Sequence, residues 1–176
     1  MEYSITLNGE EIELARSVGE KRQEQNRRRG SKNFRASPRS DVEINIEGFA
    51  GEIAFARMFN CELDLGDVPR VHDTTLHDVT VDVKTYKWKN PSAQSALANL
   101  LVPLNKKHKQ CEIYVQMLGA MPTYVFAGWA TNHDVFDREP EKFPLERVNF
   151  VVRNHELRLP EELFGMHKDD LRKLVE

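Results

Sequence analysis

Asp73, Asp82 and Lys84 lie within one short stretch, HDTTLHDVTVDVKT (72–85), otherwise rich in Thr, Val and Leu. That composition reads as two short antiparallel strands, 71–76 and 79–86, joined at His77-Asp78. With a two-residue turn there, Thr74 faces Val81 and Asp73 faces Asp82. Directly opposed residues have Cβ atoms about 4.5–5.5 Å apart, and like charges so placed repel. Alternation along the strand puts Asp82 and Lys84 on one face and Val81 and Val83 on the other. His-Asp is not among the favoured two-residue turns, so the register is open to a slip that puts Asp78 in the place of Asp73.

Two adjoining carboxylates raise each other's pKa unless a cation lies between them. Mg²⁺ is the natural cation, because it takes oxygen ligands and needs only one or two carboxylates, leaving its other positions to water and phosphate. Water bound to such an ion is more acidic, and a neighbouring Lys can orient or help deprotonate it. These are the parts needed to hydrolyse a phosphodiester. A third acid comes from the segment INIEGFAGEIAFARMF, which reads as a helix over 46–59. Positions 49, 52, 53 and 56 form one stripe, Phe-Glu-Ile-Ala, so Glu52 interrupts an apolar face. A carboxylate aimed into a core needs either a cationic partner or a metal.

The remaining elements must hold these groups. Ile12, Ala15 and Val18 recur at helical spacing, predicting an amphipathic helix over 10–29. Gly30 and the Ala-Ser-Pro at 36–38 mark a loop before the second helix, whose Gly48 and Gly51 imply close packing, since interior glycine is poorly helical. The segment 91–101 is compatible with a helix capped at Asn90-Pro91 or with a strand through NLLVPL. CEIYVQML and TYVFAGWAT read as strands, with Gly119 and Pro122 between them, and VNFVVRNHELR as an edge strand. LPEELFGMHKDDLRKLV predicts one closing helix with Pro160 in its first turn. The order is that of a mixed α/β (α+β) domain: one domain over 1–176, with 1–40 as a helical, basic N-terminal extension.

Composition narrows the class further. In 176 residues, 40% are hydrophobic and 30% charged, and no apolar run is long enough to span a bilayer. The polar opening MEYSITLNGEEIE is neither a signal peptide nor a membrane anchor, so a cytoplasmic location is expected. Cys61 and Cys111 form no CxxC pair, which predicts buried thiols in a reducing compartment. The net charge is −3, yet cations concentrate in two places. Arg22, Arg27, Arg28, Arg29, Lys32 and Arg35 fall in the first; Lys87, Trp88, Lys89, Lys106 and Lys107 in the second. Such segments suit the backbone of a polyanion, with Trp88 available to stack on a base.

A helix carrying Glu, an Asp on the following strand and an Asp-x-Lys on its partner resemble the PD-(D/E)XK superfamily, the restriction-endonuclease-like nucleases. GFAGEIAFARMF supplies the helix and VDVKT the signature, and the likeness extends over about 47–130, where EIYVQML and YVFAGWAT look like the later strands of small phage and bacterial members. His72 stands where that family's pattern has Pro, so the choice of Asp73 as the first acid rests on register, with Asp78 and then Asp67 as the alternatives. The resemblance implies a restriction-endonuclease-like core: a mixed central β-sheet with flanking helices and the hairpin at its centre. It implies a DNA endonuclease dependent on Mg²⁺, with Mn²⁺ able to substitute. Asp73, Asp82, Glu52 and the carbonyl of Val83 would hold the metal, Lys84 would position the attacking water, and Thr85 would support them. Many members cut both strands as dimers, so a homodimer joins DNA among the implied partners.

Other chemistries find less support. The six histidines match no HExxH or HNH-like spacing, Asp134 and Asp137 suit a turn or helix start, and no GxxxxGK loop indicates a nucleotide cofactor. GxSxG and Cys–His arrangements are also absent from the sequence. The rival from another class is a non-catalytic nucleic-acid-binding protein that uses the basic 21–39 and 86–109 segments. In that reading Asp73, Asp82 and Lys84 are a salt-bridge cluster, indifferent to EDTA.

Overall fold

The computed structural model describes residues 3–30, 40–65, 72–88, 98–108, 110–144 and 146–176. Strand β1 (Ser4–Thr6) leads into helix α1 (Gly9–Arg28), and α2 (Asp41–Phe59) follows. Each helix opens with a reciprocal cap, Asn8 with Glu11 and Ser40 with Glu43, which satisfies backbone N–H groups that have no partner within the helix. The second cap starts α2 at Asp41, five residues before the expected 46. Asn60, in the left-handed conformation at φ 53°, ends it.

Strands β2 (Thr74–Leu76), β3 (Val79–Lys87), β5 (Ile113–Ala120) and β6 (Thr123–Thr131) join β1 in a five-stranded sheet ordered β1-β6-β5-β3-β2. Its β3–β5 pair is parallel and the others antiparallel, so the central sheet is mixed and flanked by helices, as the sequence implied. The hairpin occupies one end of this sheet, with β2 at the edge rather than at the centre. Gly119 lies inside β5, and Met121-Pro122 makes the turn.

The crossover from β3 to β5 contributes β4 (Leu100–Pro103) and a 3₁₀ turn (Leu104–His108), so the ambiguous stretch is a strand from Leu100 on, while 91–97 lie outside the described residues. A short helix α3 (Asn132–Phe136), capped by Thr131 and Asp134, leads to β7 (Glu141–Lys142) and β8 (Val148–Val152). These build a second sheet ordered β4-β8-β7, so β8 is its centre and not an edge. The closing helix is two helices, α4 (Pro160–Gly165) and α5 (Lys168–Val175), with Met166-His167 between them.

The central sheet has a core on each face. Val81, Val83, Val115, Met117 and Phe126 pack against Phe49, Ile53 and Ala54 of α2. Tyr114 and Ala130 pack on the other side against Leu100, Phe150 and Val152 of the second sheet. Residues 3–30 are built into this body rather than appended to it: β1 pairs with β6, and α1 lies along α2. Cys61 and Cys111 form no disulfide; Cys111 is fully buried, and Cys61 only half-buried. Among the described residues no helix is long and apolar enough to cross a membrane.

Candidate active site

The hairpin register is the one expected from the sequence: Leu76 faces Val79, Thr75 faces Thr80 and Thr74 faces Val81. His77 and Asp78 both have positive φ, 52° and 65°, the conformation of a two-residue hairpin turn. Contacts from α5 hold this unusual pair: Lys168 binds the Asp78 carboxylate and Arg172 donates to its carbonyl. Asp78 is thereby fixed at the far end of the hairpin, and Asp73 stands beside Asp82. The backbone N–H of Asp73 donates to Val81 O at 2.9 Å, and the N–H of Val83 donates to Asp73 Oδ2 at 2.7 Å.

Asp82 is only 3% exposed. Lys84 Nζ contacts its Oδ2, and Lys106 Nζ lies 3.6 Å from its Oδ1. Lys106 comes from the 3₁₀ turn of the crossover, so the expected phosphate-binding lysine reaches into the carboxylate cluster itself. Glu52, 6% exposed, projects from α2, and both its oxygens accept from Arg22 of α1, at 2.6 and 2.9 Å. The Arg22 guanidinium lies 4.6 Å from the centre of the Phe49 ring. Arg22 is therefore a buried-site counterion and not the exposed phosphate contact expected of it. Its signal was present in α1, where 15, 18 and 22 share the inward stripe.

Close packing of α2 on β3 fixes Glu52 relative to the hairpin. A Cβ at Gly51 would lie 2.0 Å from Thr85 Oγ1, so only glycine permits this approach. Thr85 Oγ1 in turn donates to the Gly48 carbonyl at 3.4 Å. Gly48 itself has open space around it, so the packing reason expected for both glycines holds for Gly51 alone.

Electrostatics follow from this crowding. Burial and the adjacent Asp82 push Asp73 up to about 6, against the lowering effect of Lys84. Burial and Asp73 push Glu52 up to about 8 in spite of Arg22. Burial pulls Lys84 down, but Asp82 and Asp73 outweigh it and hold the ammonium above its ordinary value. Burial more than unbalanced charge raises the two acids, since Arg22, Lys84 and Lys106 stand against Glu52, Asp73 and Asp82.

Asp73 and Asp82 are the oxygen donors a hard divalent ion takes, and a pair of acids under mutual repulsion fits such an ion. Val83 lies between Asp82 and Lys84 in the sequence, 7% exposed, with its N–H committed to Asp73. Glu52 is drawn to the same pocket, but Arg22 occupies both its oxygens. Among the described residues no three His, Cys, Asp or Glu side chains converge as a ready metal cage. The fit to Mg²⁺ therefore rests on two carboxylates, with Glu52 behind them.

The expected nucleic-acid contacts divide. Arg27, Arg28 and Arg29 are exposed at the end of α1, with Arg28 paired to Glu24. Lys87 is exposed but lies 3.1 Å from Glu47, Trp88 is half-buried, and Lys107 lies over the Phe150 ring. Lys32, Arg35 and Lys89 lie outside the described residues, as does Asp67. Five of the histidines, all but His72, are exposed.

Fold and site together define a mixed α+β protein with a buried acid–lysine cluster where a hairpin meets a helix. The chain belongs to a family of unknown function (DUF5843), whose profile matches residues 3–156. All of the site residues fall within that span. No curated protein matches the chain, and neither does any solved structure.

Proposed function

We propose that this protein is a divalent-metal-dependent nuclease that hydrolyses phosphodiester bonds in DNA, with endonucleolytic cutting favoured. The observation that carries this reading is the closeness of half-buried Asp73 to buried Asp82: Asp73 Oδ2 accepts from the N–H of the residue after Asp82, the Asp82 charge pushes the Asp73 carboxyl up, and Lys84 shares the face of Asp82. A cluster serving only to hold the sheet together would not set two carboxylates beside each other. The restriction-endonuclease-like arrangement of helix, hairpin and Asp-x-Lys supports the same reading by analogy.

Asp73, Asp82 and the Val83 carbonyl would hold Mg²⁺, with Glu52 held behind them by Arg22. The bound ion supplies neutralisation of the phosphate and a more acidic water. Lys84, raised by its two acidic neighbours, stays protonated and donates: it orients the attacking water and balances charge on the phosphate oxygens. Arg22 keeps Glu52 from collapsing onto the hairpin. Arg27 and Arg29 give exposed charge for the DNA backbone, which supplies affinity and register but no sequence information.

A second reading has one observation in its favour: Glu52 is ion-paired to Arg22, and Asp82 to Lys84 and Lys106. A DNA-binding protein without catalysis would need nothing more of these groups. The two readings separate in a cleavage assay on supercoiled plasmid, linear duplex, single strands and a four-way junction, each with Mg²⁺, Mn²⁺ or EDTA. The nuclease reading expects metal-dependent cutting of at least one substrate that Asp82→Ala loses. DNA binding without cutting in any metal would leave the binding module.

A further inference from the structure

Gln116 lies in the middle of β5, directly beside Lys84 in the parallel β3–β5 pair. Opposed residues of neighbouring strands project to the same face, so its carboxamide lies on the face of Asp82 and Lys84. It is 0% exposed, and neither its Oε1 nor its Nε2 has a hydrogen-bond partner among the described residues. Burying an amide without partners costs about 1–3 kcal/mol, and most buried polar groups avoid it. The next residues toward the ends of β5 on that face, Tyr114 and Leu118, are fully buried, so an aliphatic side chain would suit position 116 at least as well.

The strand beside it is irregular at the same point. Gln116 pairs with Gly128 and Met117 with Phe126, so Ala127 of β6 is an extra residue and forms a bulge. Bulges re-aim side chains and concentrate beside active sites. Opposite Gln116 stands a glycine, so one flank of the amide has no side chain from β6, and the other flank is Lys84. A partnerless amide, a bulge and the lysine of the cluster therefore coincide at one point of the sheet.

We propose that Gln116 is a positioning residue of the nuclease site, whose carboxamide holds the attacking water in line beside the Lys84 ammonium. The inference rests on the nuclease reading. An amide suits this task because it donates and accepts at once, without adding charge to a pocket already rich in carboxylates. Gln116 is not a metal ligand in this arrangement; Asp73 and Asp82 remain so.

The test is steady-state cleavage by the full-length wild type, Gln116→Met and Gln116→Leu, with melting temperatures taken with and without Mg²⁺. Both variants should lose about 10- to 100-fold in kcat, the scale of a misplaced reactant, with KM within about twofold. Their metal-free Tm should equal or exceed that of the wild type, because no partner is left unsatisfied. Their Mg²⁺-induced rise in Tm should match the wild type's. A kcat within twofold of the wild type in either folded variant would overturn the inference while leaving the nuclease reading intact. So would a fall in Tm, or loss of the Mg²⁺ response, accompanying lower activity, since Gln116 would then be packing or ligation. A wild type that cuts no substrate in any metal removes the nuclease reading and this inference together.

Discussion

Asp73 shows how the site trades stability for charge. Its pKa rises from 3.8 to about 6 through burial and Asp82, so the folded protein holds its proton more tightly than the unfolded chain. That contribution is full below pH 3.8 and is lost as pH rises through about 6. Metal-free protein should therefore lose stability across this window, and added Mg²⁺ should restore more at pH 8 than at pH 5. Calorimetric melts at the two pH values, with Mg²⁺ or EDTA, check the sign. Asp73→Asn keeps an acceptor for the Val83 N–H while deleting the charge. It should raise metal-free stability at pH 8 by about 1–3 kcal/mol and abolish both cleavage and the Mg²⁺ response. A stabilised but inactive variant is the signature of a carboxylate retained for chemistry. The closeness of Asp73 and Asp82 was legible in the sequence, because the turn position fixes the hairpin register; the Asp73 N–H bonds to Val81 O, so Asp73 sits beside Asp82 outside the regular ladder. Gln116 was not, because one amide within IYVQMLG looks like a tolerated polar residue until β5 is known to lie beside Lys84. Lys106 read as a phosphate contact for a similar reason: a long-range crossover, not local spacing, brings it to Asp82.

At the scale of elements, α1, α2 and the hairpin act as one clamp. Arg22 of α1 neutralises Glu52 of α2, and Gly51 of α2 lets Thr85 of β3 approach. Arg22→Met leaves a buried carboxylate without its partner and should cost about 3–5 kcal/mol. Adding Glu52→Gln should recover most of that loss, a coupling that urea denaturation of the two single variants and the double variant would measure. The glycines offer a sharper contrast. Gly51→Ala should destabilise by about 1–3 kcal/mol and lower activity, as α2 retreats from the hairpin. Gly48→Ala, in open space, should be neutral or stabilise by up to about 1 kcal/mol. Equal effects at the two positions in the same denaturation series would contradict the packing account. The helices themselves were visible in periodicity, but the start of α2 was missed because Ser40 and Glu43 signal a cap only when read as a pair. Gly165 ends the first of the two closing helices at the Met166-His167 break, but a single glycine within a helical pattern is tolerated, so the two read as one.

Across the whole molecule, the central sheet is covered by α2 on one face and by the β4-β8-β7 sheet on the other. The second sheet was hidden from the sequence because β4 lies far along the chain from β7 and β8, and β7 is only two residues long. The 3₁₀ turn after β4 carries Lys106 to Asp82, while the end of α1 leaves Arg27 and Arg29 exposed. If those arginines hold the DNA backbone, Arg27→Glu with Arg29→Glu should weaken DNA binding and raise KM with little change in kcat. The slope of log affinity against log salt should also become shallower, read by fluorescence anisotropy at several salt concentrations. An unchanged slope would remove α1 from the interface.

The most direct test of the whole account is single-turnover DNA cleavage by wild type, Lys84→Ala and Asp82→Asn in Mg²⁺, with DNA affinity measured on the same samples. Cleavage that requires Mg²⁺ and falls at least about 100-fold in both variants, at affinities near that of the wild type, is the predicted result. Rates that survive both substitutions, or a wild type that binds DNA and never cuts it, would contradict it.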